Sequence, residues 1–249
     1  MSGGPRLTDA LLEVARGDER AVLFTVLDGE HEGHKLLVRI DRGEQFGEGP
    51  AGLEQLAQSV RRSGIVEHEG ARVFADVFGP PPRFVVVGAV DTAEAICAGA
   101  RALGWHTVCV DPRTRFATPE RMPSAEQIVA KWPEDAFAEL GLDRDTAVAV
   151  LTHDDKFDVP ALAVALRSEA FYVAALGSRV AQENRRTRLL EAGLTPTELD
   201  RLHGPAGLDI GAESPAETAV SILAEALAVR AGRTGGQLRA SAERIHVER

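Results

Sequence analysis

Cysteine is scarce in this chain: Cys97 and Cys109 are the only two in 249 residues. Both fall in apolar stretches read below as a helix and an interior strand, so reduced, buried thiols are expected. That argues against a disulfide or cysteine-based metal framework and for a cytoplasmic setting. Neither cysteine has an adjacent activating pattern, so no catalytic thiolate is expected. Basic charge is also short, with 28 Lys and Arg against 38 Asp and Glu, a net charge of −10 and a pI near 5.2. Such a chain has no basic surplus to neutralise phosphates, which argues against nucleic acid as a partner. There is no apolar run of membrane-spanning length. The opening residues, MSGGPRLTDALLEVARGDE, carry neither a basic start nor an apolar signal core. Tyr172 is the single tyrosine and lies in a strand-like run, which leaves no Tyr–Lys pair for proton transfer. The histidines form no ligand set: His31 and His34 are close, but their surroundings are acidic and lack a third ligand. No internal repeat or low-complexity segment is present.

What is there centres on Arg83 to Asp111. The run Phe84-Val85-Val86-Val87 reads as a buried parallel strand. A turn follows at Gly88-Ala89, then a helix from about Asp91 to Leu103 with Ala93, Ile96, Cys97 and Ala100 at helical spacing. Gly104 ends the helix, and Thr107 to Val110 forms a second strand that stops at Asp111. Strand, glycine turn, helix, strand and terminal acid is the layout of a dinucleotide-binding half-domain. A helix N-terminus suits a pyrophosphate, and an acid at the second strand tip can hold ribose hydroxyls. The turn departs from the G-x-G-x-x-G pattern at its second glycine: Ala93 is a permitted final residue, but Val90 and Asp91 put a branched side chain and a negative charge where phosphate would approach.

Upstream, Thr8 is expected to cap a helix from Asp9 to Arg16, followed by strands at Ala21–Leu27 and Lys35–Ile40. Residues 43–50 read as a loop, Leu53–Arg62 as a helix, and Ile65–Glu67 with Arg72–Val77 as a hairpin. Gly79-Pro80-Pro81-Pro82 is a stiff connector and marks a boundary. Downstream, a proline-broken loop after Asp111 leads to an expected helix near Glu126–Lys131. Strands follow at Thr146–Leu151 and Phe171–Leu176. Asp158 is expected to cap a helix running through Ser168, and Gln182–Ala192 reads as a basic helix with Arg185, Arg186 and Arg188 on a solvated face. Thr195 to Glu198 is a capping box, His203-Gly204-Pro205 breaks the short helix it opens, and Gly207 to Ala212 is a short strand or turn. Ser214-Pro215-Ala216-Glu217 opens the last long helix, to about Arg230. The fold class is therefore α/β. A small α+β domain (1–79) precedes a Rossmann-like parallel sheet flanked by helices (83–231), with a polar tail (232–249) behind it.

From Leu103 onward the chain resembles a known family. The matching stretches are Leu103-Gly104-Trp105, Val110-Asp111-Pro112-Arg113, Phe116-Ala117-Thr118, LTHDDKFD (151–158), ALGSR (175–179), GLDIGA (207–212) and SPAETAVSILAE (214–225). In this order they resemble the Rossmann-like domain of the xanthine dehydrogenase accessory (XdhC/CoxI) proteins. The resemblance implies a factor that binds molybdenum cofactor, shields it while a partner cysteine desulfurase installs a terminal sulfur, and delivers it to a molybdenum hydroxylase apoenzyme. It also implies a binding protein, not a catalyst, and an accessory factor of this kind is often a homodimer. The N-terminal part is similar to the family's first domain only faintly. Where the family usually carries a glycine run ending in cysteine before a Leu-Glu pair, this chain has Gly52 before Leu53-Glu54. The soft thiolate expected near molybdenum or its sulfur is thus missing at that point.

The candidate ligand-binding residues gather at strand ends. They are Gly88, Ala89, Val90 and Asp91 in the first turn, then Asp111 and Arg113 after the second strand. Thr152, His153, Asp154 and Lys156 follow the next, with Gly177, Ser178 and Arg179 after the last and Asp209 between glycines. Lys156 and His153 could donate to a phosphate or pterin. Arg113 could pair with phosphate or stack on a ring, and Ser178 and Arg179 open a helix where an anion fits. Each has a plainer alternative, in loop packing, an Asp-Pro turn or helix capping. The ligand is read as molybdenum cofactor or NAD(P). Two rivals stay open: an NAD(P)-dependent oxidoreductase, and a degenerate family member that works through protein contacts alone.

Overall fold

The computed structural model describes residues 6–152 and 154–240. They divide into two compact units. One takes in the described residues up to Pro80 and from Gln237, the other Pro81–Gly236.

The first unit is an antiparallel sheet with one helix on each face. Helix α1 (Leu7–Arg16) precedes strands β1 (Ala21–Val26), β2 (Lys35–Arg39) and β3 (Glu44–Gly47). Helix α2 (Leu53–Ala57) leads to the hairpin β4 (Gly64–His68) and β5 (Ala71–Phe78). The sheet order is β3-β2-β1-β5-β4. Alternation along the strands splits the core. Val22, Phe24, Val26 and Val73 pack with Leu53 and Ala57 of α2, while Ala21 and Leu37 meet Ala10 and Val14 of α1. Arg39 is buried at 2% exposure on the sheet and is held by Glu19 at 2.9 and 2.5 Å and by Glu13 at 3.1 Å.

Three expectations change here. Helix α1 begins at Leu7 behind Arg6, so Thr8 lies inside the first turn and is not the cap. Residues 44–47 are a strand, because they pair with β2 from Leu36↔Gly47 to Arg39↔Glu44. Helix α2 stops at Ala57, well short of Arg62.

The second unit runs β6 (Arg83–Val87), α3 (Asp91–Ala102), β7 (His106–Val110), β8 (Gln127–Val129), α4 (Pro133–Leu140) and β9 (Thr146–Val150). It continues α5 (Asp155–Arg167), β10 (Tyr172–Ala175), α6 (Arg179–Glu191), α7 (Pro196–Leu199), β11 (Leu202–His203) and α8 (Pro215–Arg230). All six strands are parallel, in the order β11-β10-β9-β6-β7-β8. Numbered within the unit this is 3-2-1-4-5-6 read from the β8 edge, the Rossmann order, with its switch point between β6 and β9. The apolar strand runs are covered on both faces, as a parallel sheet requires. Phe84, Val86, Ala147 and Ala149 face α3 and α8; Val85, Val87, Val148 and Val150 face α4, α5 and α6.

Residues 126–131, expected as a helix, contain β8 instead. Gln127, Ile128 and Val129 add to the edge of β7 opposite Val108, Cys109 and Val110, and the helix begins only at Pro133. Helix α5 is capped by Asp154, whose carboxylate accepts from the Lys156 N–H at 3.0 Å. Asp158 is therefore inside the helix and not its cap. Helix α6 starts at Arg179, earlier than Gln182, because Ser178 accepts from the Ala181 N–H at 3.2 Å. The capping boxes at Thr195–Glu198 and Ser214–Glu217 are both formed.

Candidate functional site

In open parallel sheets the carboxyl ends of the strands at the switch point form a crevice. Here its walls are the turns after β6 and β9. Gly88 has φ +103, and a Cβ there would lie 2.5 Å from the Thr152 methyl carbon. Only glycine gives both the left-handed backbone and the close approach. The turn is wound tightly, with Val90 N–H on the Gly88 carbonyl at 3.1 Å, and Val90 precedes α3 without a side-chain cap. Asp91 and Glu94 occupy the first turn of α3 and oppose an anion there. Asp155 and Asp158 do the same for α5, whereas α6 has no acid in its first turn.

Asp111 lies at the foot of this crevice, 1% exposed. Its Oδ2 accepts from the Ala89 N–H at 2.9 Å and the Arg113 guanidinium at 2.7 Å. Its Oδ1 accepts from the Arg113 N–H and Nε, both at 2.9 Å. Four donors occupy the roughly four lone-pair sites of a carboxylate. Burial pushes this carboxyl up, but the Arg113 side chain and the two backbone donors outweigh it and hold it below the ordinary aspartate range. Asp111 thus braces the β6 turn against the β7 loop, and a ribose hydroxyl would have to displace Arg113 to reach it. The Arg113 guanidinium itself stays more than a third exposed.

A second buried carboxylate stands on the other side of the switch point. Asp158, 1% exposed, accepts from Arg185 at 3.0 Å and from the Thr152 hydroxyl in a short hydrogen bond. Arg185 also donates to the Leu176 carbonyl at 3.1 Å and to Gln182 at 2.6 Å, and Gln182 donates to the Ala175 carbonyl at 3.0 Å. This network ties β9, α5, β10 and α6 together. Arg185 is therefore a buried structural cation, not part of a solvated face, while Arg186 and Arg188 are exposed.

Of the candidate residues, Gly88, Ala89, Asp111, Arg113 and Thr152 meet in one place. Asp154 is close enough to act electrostatically on Arg113. Val90, Asp91 and Lys156 line the same edge, the last two exposed. His153 lies outside the described residues. Gly177 has φ +135 and leads into α6, with Ser178 and Arg179 exposed. Asp209 is exposed in the loop before α8, and among the described residues no hydrogen bond or ion pair draws it to the other candidates. Missed by the sequence reading were Asp158 and Arg185 as partners, and the aromatic and basic residues Arg115, Arg121, Trp132 and Phe157 of the same edge. The Arg-x-Arg-Phe run at 113–116 in an acid-rich chain was the available signal.

Both cysteines are buried, and burial pushes the Cys109 thiol up to about 12 and Cys97 higher still. In the first unit Gly52 has φ +85, and a Cβ there would stand 3.1 Å from the His68 ring, whose Nε2 is 2.7 Å from the Ala51 carbonyl. Among the described residues no three His, Cys, Asp or Glu side chains cluster as metal ligands, and no helix is long and apolar enough to cross a membrane.

Six parallel strands in Rossmann order around a glycine turn define a Rossmann-type ligand-binding unit. More specifically, the XdhC Rossmann domain family matches residues 84–226, and the chain belongs to that family. It is 32% identical over 165 residues to the Escherichia coli protein YqeB, described as uncharacterized, covering 66% of this chain and 30% of that one. It is 30% identical over 158 residues to a probable xanthine dehydrogenase subunit of Bacillus subtilis, covering 64% and 46%. It is 29% identical over 153 residues to the molybdenum cofactor insertion chaperone PaoD of E. coli, covering 61% and 42%. The matched region spans less than half the length of each of these relatives. A crystal structure described as a xanthine dehydrogenase from Bacillus halodurans has the same fold, with a TM-score of 0.56 at 20% identity over 96% of this chain and 98% of that one.

Proposed function

We propose that this chain is an accessory protein of a xanthine dehydrogenase-type molybdenum hydroxylase, which holds molybdenum cofactor at the carboxyl edge of its parallel sheet and hands it to the apoenzyme. The observation that carries this reading is the switch point between β6 and β9, in a chain that is 29% identical over 153 residues to the insertion chaperone. The cofactor is cargo here. Its phosphate and ring need cationic and aromatic groups, and Lys156, exposed, and Arg113, half-exposed on Asp111, are cations on this edge. A thiolate contact to the metal is not offered by Gly52, so the reading assigns the metal no protein sulfur in this chain. A cysteine desulfurase would dock while the cofactor is held, and a homodimer would shield it.

Against the oxidoreductase reading stands the state of the single tyrosine. Tyr172 is 1% exposed, burial pushes its phenol far up, and its hydroxyl donates to Glu225 at 2.6 Å. The test is activation of a purified molybdenum hydroxylase apoenzyme by molybdenum cofactor, with and without this protein, beside thermal unfolding with cofactor, NAD or NADP. A ligand at about 100 times its Kd raises stability by roughly 2.7 kcal/mol. Faster activation together with a cofactor-dependent shift is expected. A shift with NADP alone would move the protein to the oxidoreductases, and no shift and no activation would leave protein contacts as its role.

A further inference from the structure

The loop that follows β7 adds to Arg113 a group of side chains that the switch-point crevice does not use. The guanidiniums of Arg113, Arg115 and Arg121 all stand over the ring of Phe116, 4.7, 4.6 and 5.2 Å from its centroid. Arg113 also stands over Phe157 at 5.6 Å, and Phe157 packs against Trp132 with centroids 5.0 Å apart. The result is a ladder of rings and guanidiniums drawn from the β7 loop, the first turn of α5 and the residue before α4. It is held in place from beneath. Phe116 packs on the core, Met122 is 1% exposed, and the loop closes on itself through Phe116 N–H on the Arg113 carbonyl and Met122 N–H on the Thr118 carbonyl.

The charges in this ladder do not balance. Arg113 is neutralised by Asp111, but among the described residues no carboxylate lies within ion-pair distance of Arg115 or Arg121. Glu120, their neighbour in sequence, has its carboxyl held below the usual range by its own backbone N–H and by Thr118. Two unpaired guanidiniums gathered on one ring repel each other, and they do so in a chain whose net charge is −10. A dianion between them would turn that repulsion into attraction, since guanidinium presents planar, paired donors to phosphate. Beyond the ladder's inner rungs, Trp132 is 47% exposed.

We propose that this loop is a recognition site for a phosphomonoester carried on a planar heterocycle, with the phosphate on Arg115 and Arg121 and the ring system resting on the aromatic ladder that ends at Trp132. The inference rests on the reading of the carboxyl edge as the ligand-binding face and names the chemistry that the edge selects. A nucleotide phosphate and a pterin phosphate share that chemistry, and the probes below separate them.

The experiment is calorimetric titration of the full chain at low salt with paired ligands: 5′-AMP and 2′,5′-ADP against adenosine, neopterin monophosphate against neopterin, and inorganic phosphate alone. The phosphorylated member of one pair should bind at least about tenfold more tightly, and the pair that shows it identifies the ring. Arg115→Ala and Arg121→Ala should each weaken that ligand by about ten- to a hundredfold, without lowering the Tm of the free protein, because both side chains are exposed. Trp132→Ala should weaken the ring-bearing ligand and leave inorganic phosphate unchanged; no effect of this variant overturns the ring's place. Equal binding within every pair, or unchanged Kd in both arginine variants, overturns the site. If the Arg115→Ala/Arg121→Ala protein still speeds cofactor-dependent activation of the apoenzyme as wild type does, the phosphate site fails while the accessory function stands. Loss of activation in wild type would instead remove the function.

Discussion

Two buried aspartates flank the switch point, and their partners differ. Asp158 is matched by Arg185, itself 5% exposed and anchored to the Leu176 carbonyl and Gln182. Asp111 is matched by Arg113, more than a third exposed, on a loop whose other arginines have no acid partner among the described residues. A buried carboxylate tied to a buried guanidinium is closed chemistry, because neither group can be given to a ligand without stranding the other. A buried carboxylate that holds a half-exposed guanidinium is a mounting. It orients the cation and leaves the outer face for something else. The edge of the sheet thus has a locked side at β9–β10 and an open side at β6–β7.

The largest effect that would test this contrast is at Arg185. Arg185→Ala takes the guanidinium from a buried carboxylate and should lower the unfolding free energy by about 3–5 kcal/mol, read by urea unfolding. Next is the glycine turn between the two sides. Gly88→Ala puts a Cβ into the Thr152 methyl at φ +103 and should cost roughly 1–3 kcal/mol in backbone strain before any overlap. Adding Thr152→Ser removes that methyl, so the double variant should recover part of the loss, a coupling that distant sites would not show. Arg113→Ala should cost only about 1–2 kcal/mol, since Asp111 keeps the Ala89 and Arg113 backbone donors. A loss as large as that of Arg185→Ala would erase the distinction between mounting and lock. The smallest effect is in acid. Because the Asp111 carboxyl is held below its ordinary range, its contribution is present above about pH 3.9 and is lost as pH falls below it. Asp111→Asn should have a shallower stability loss between about pH 5 and 2. An unchanged acid branch would mean that Asp111 carries no such linkage.

The order of the Rossmann-like unit was legible because its signals are local. Strand runs of β-branched residues, the Gly88 turn, and the capping boxes at Thr195–Glu198 and Ser214–Glu217 each involve neighbours in sequence. The three-residue β8 was misread as helix because such a segment has too few residues to show a period, and its pairing with β7 decides it. The mistaken cap at Asp158 has a similar origin. An acid followed two residues later by proline suits a helix start, but Asp154 takes that role, and Asp158 turns inward to a partner 27 residues away.

The sequence by itself determined the α/β class, the glycine turn, the strand-end placement of the candidate residues and the membership that their motifs suggested. Those features depend on propensity and on short-range spacing. Only the tertiary structure decided which charges are spent inside and which face outward. It buried Arg185, half-exposed Arg113, and brought Phe116, Phe157 and Trp132 into one ladder. Such pairings join groups far apart in sequence, and in a parallel sheet the crossovers that bring strand ends together are long.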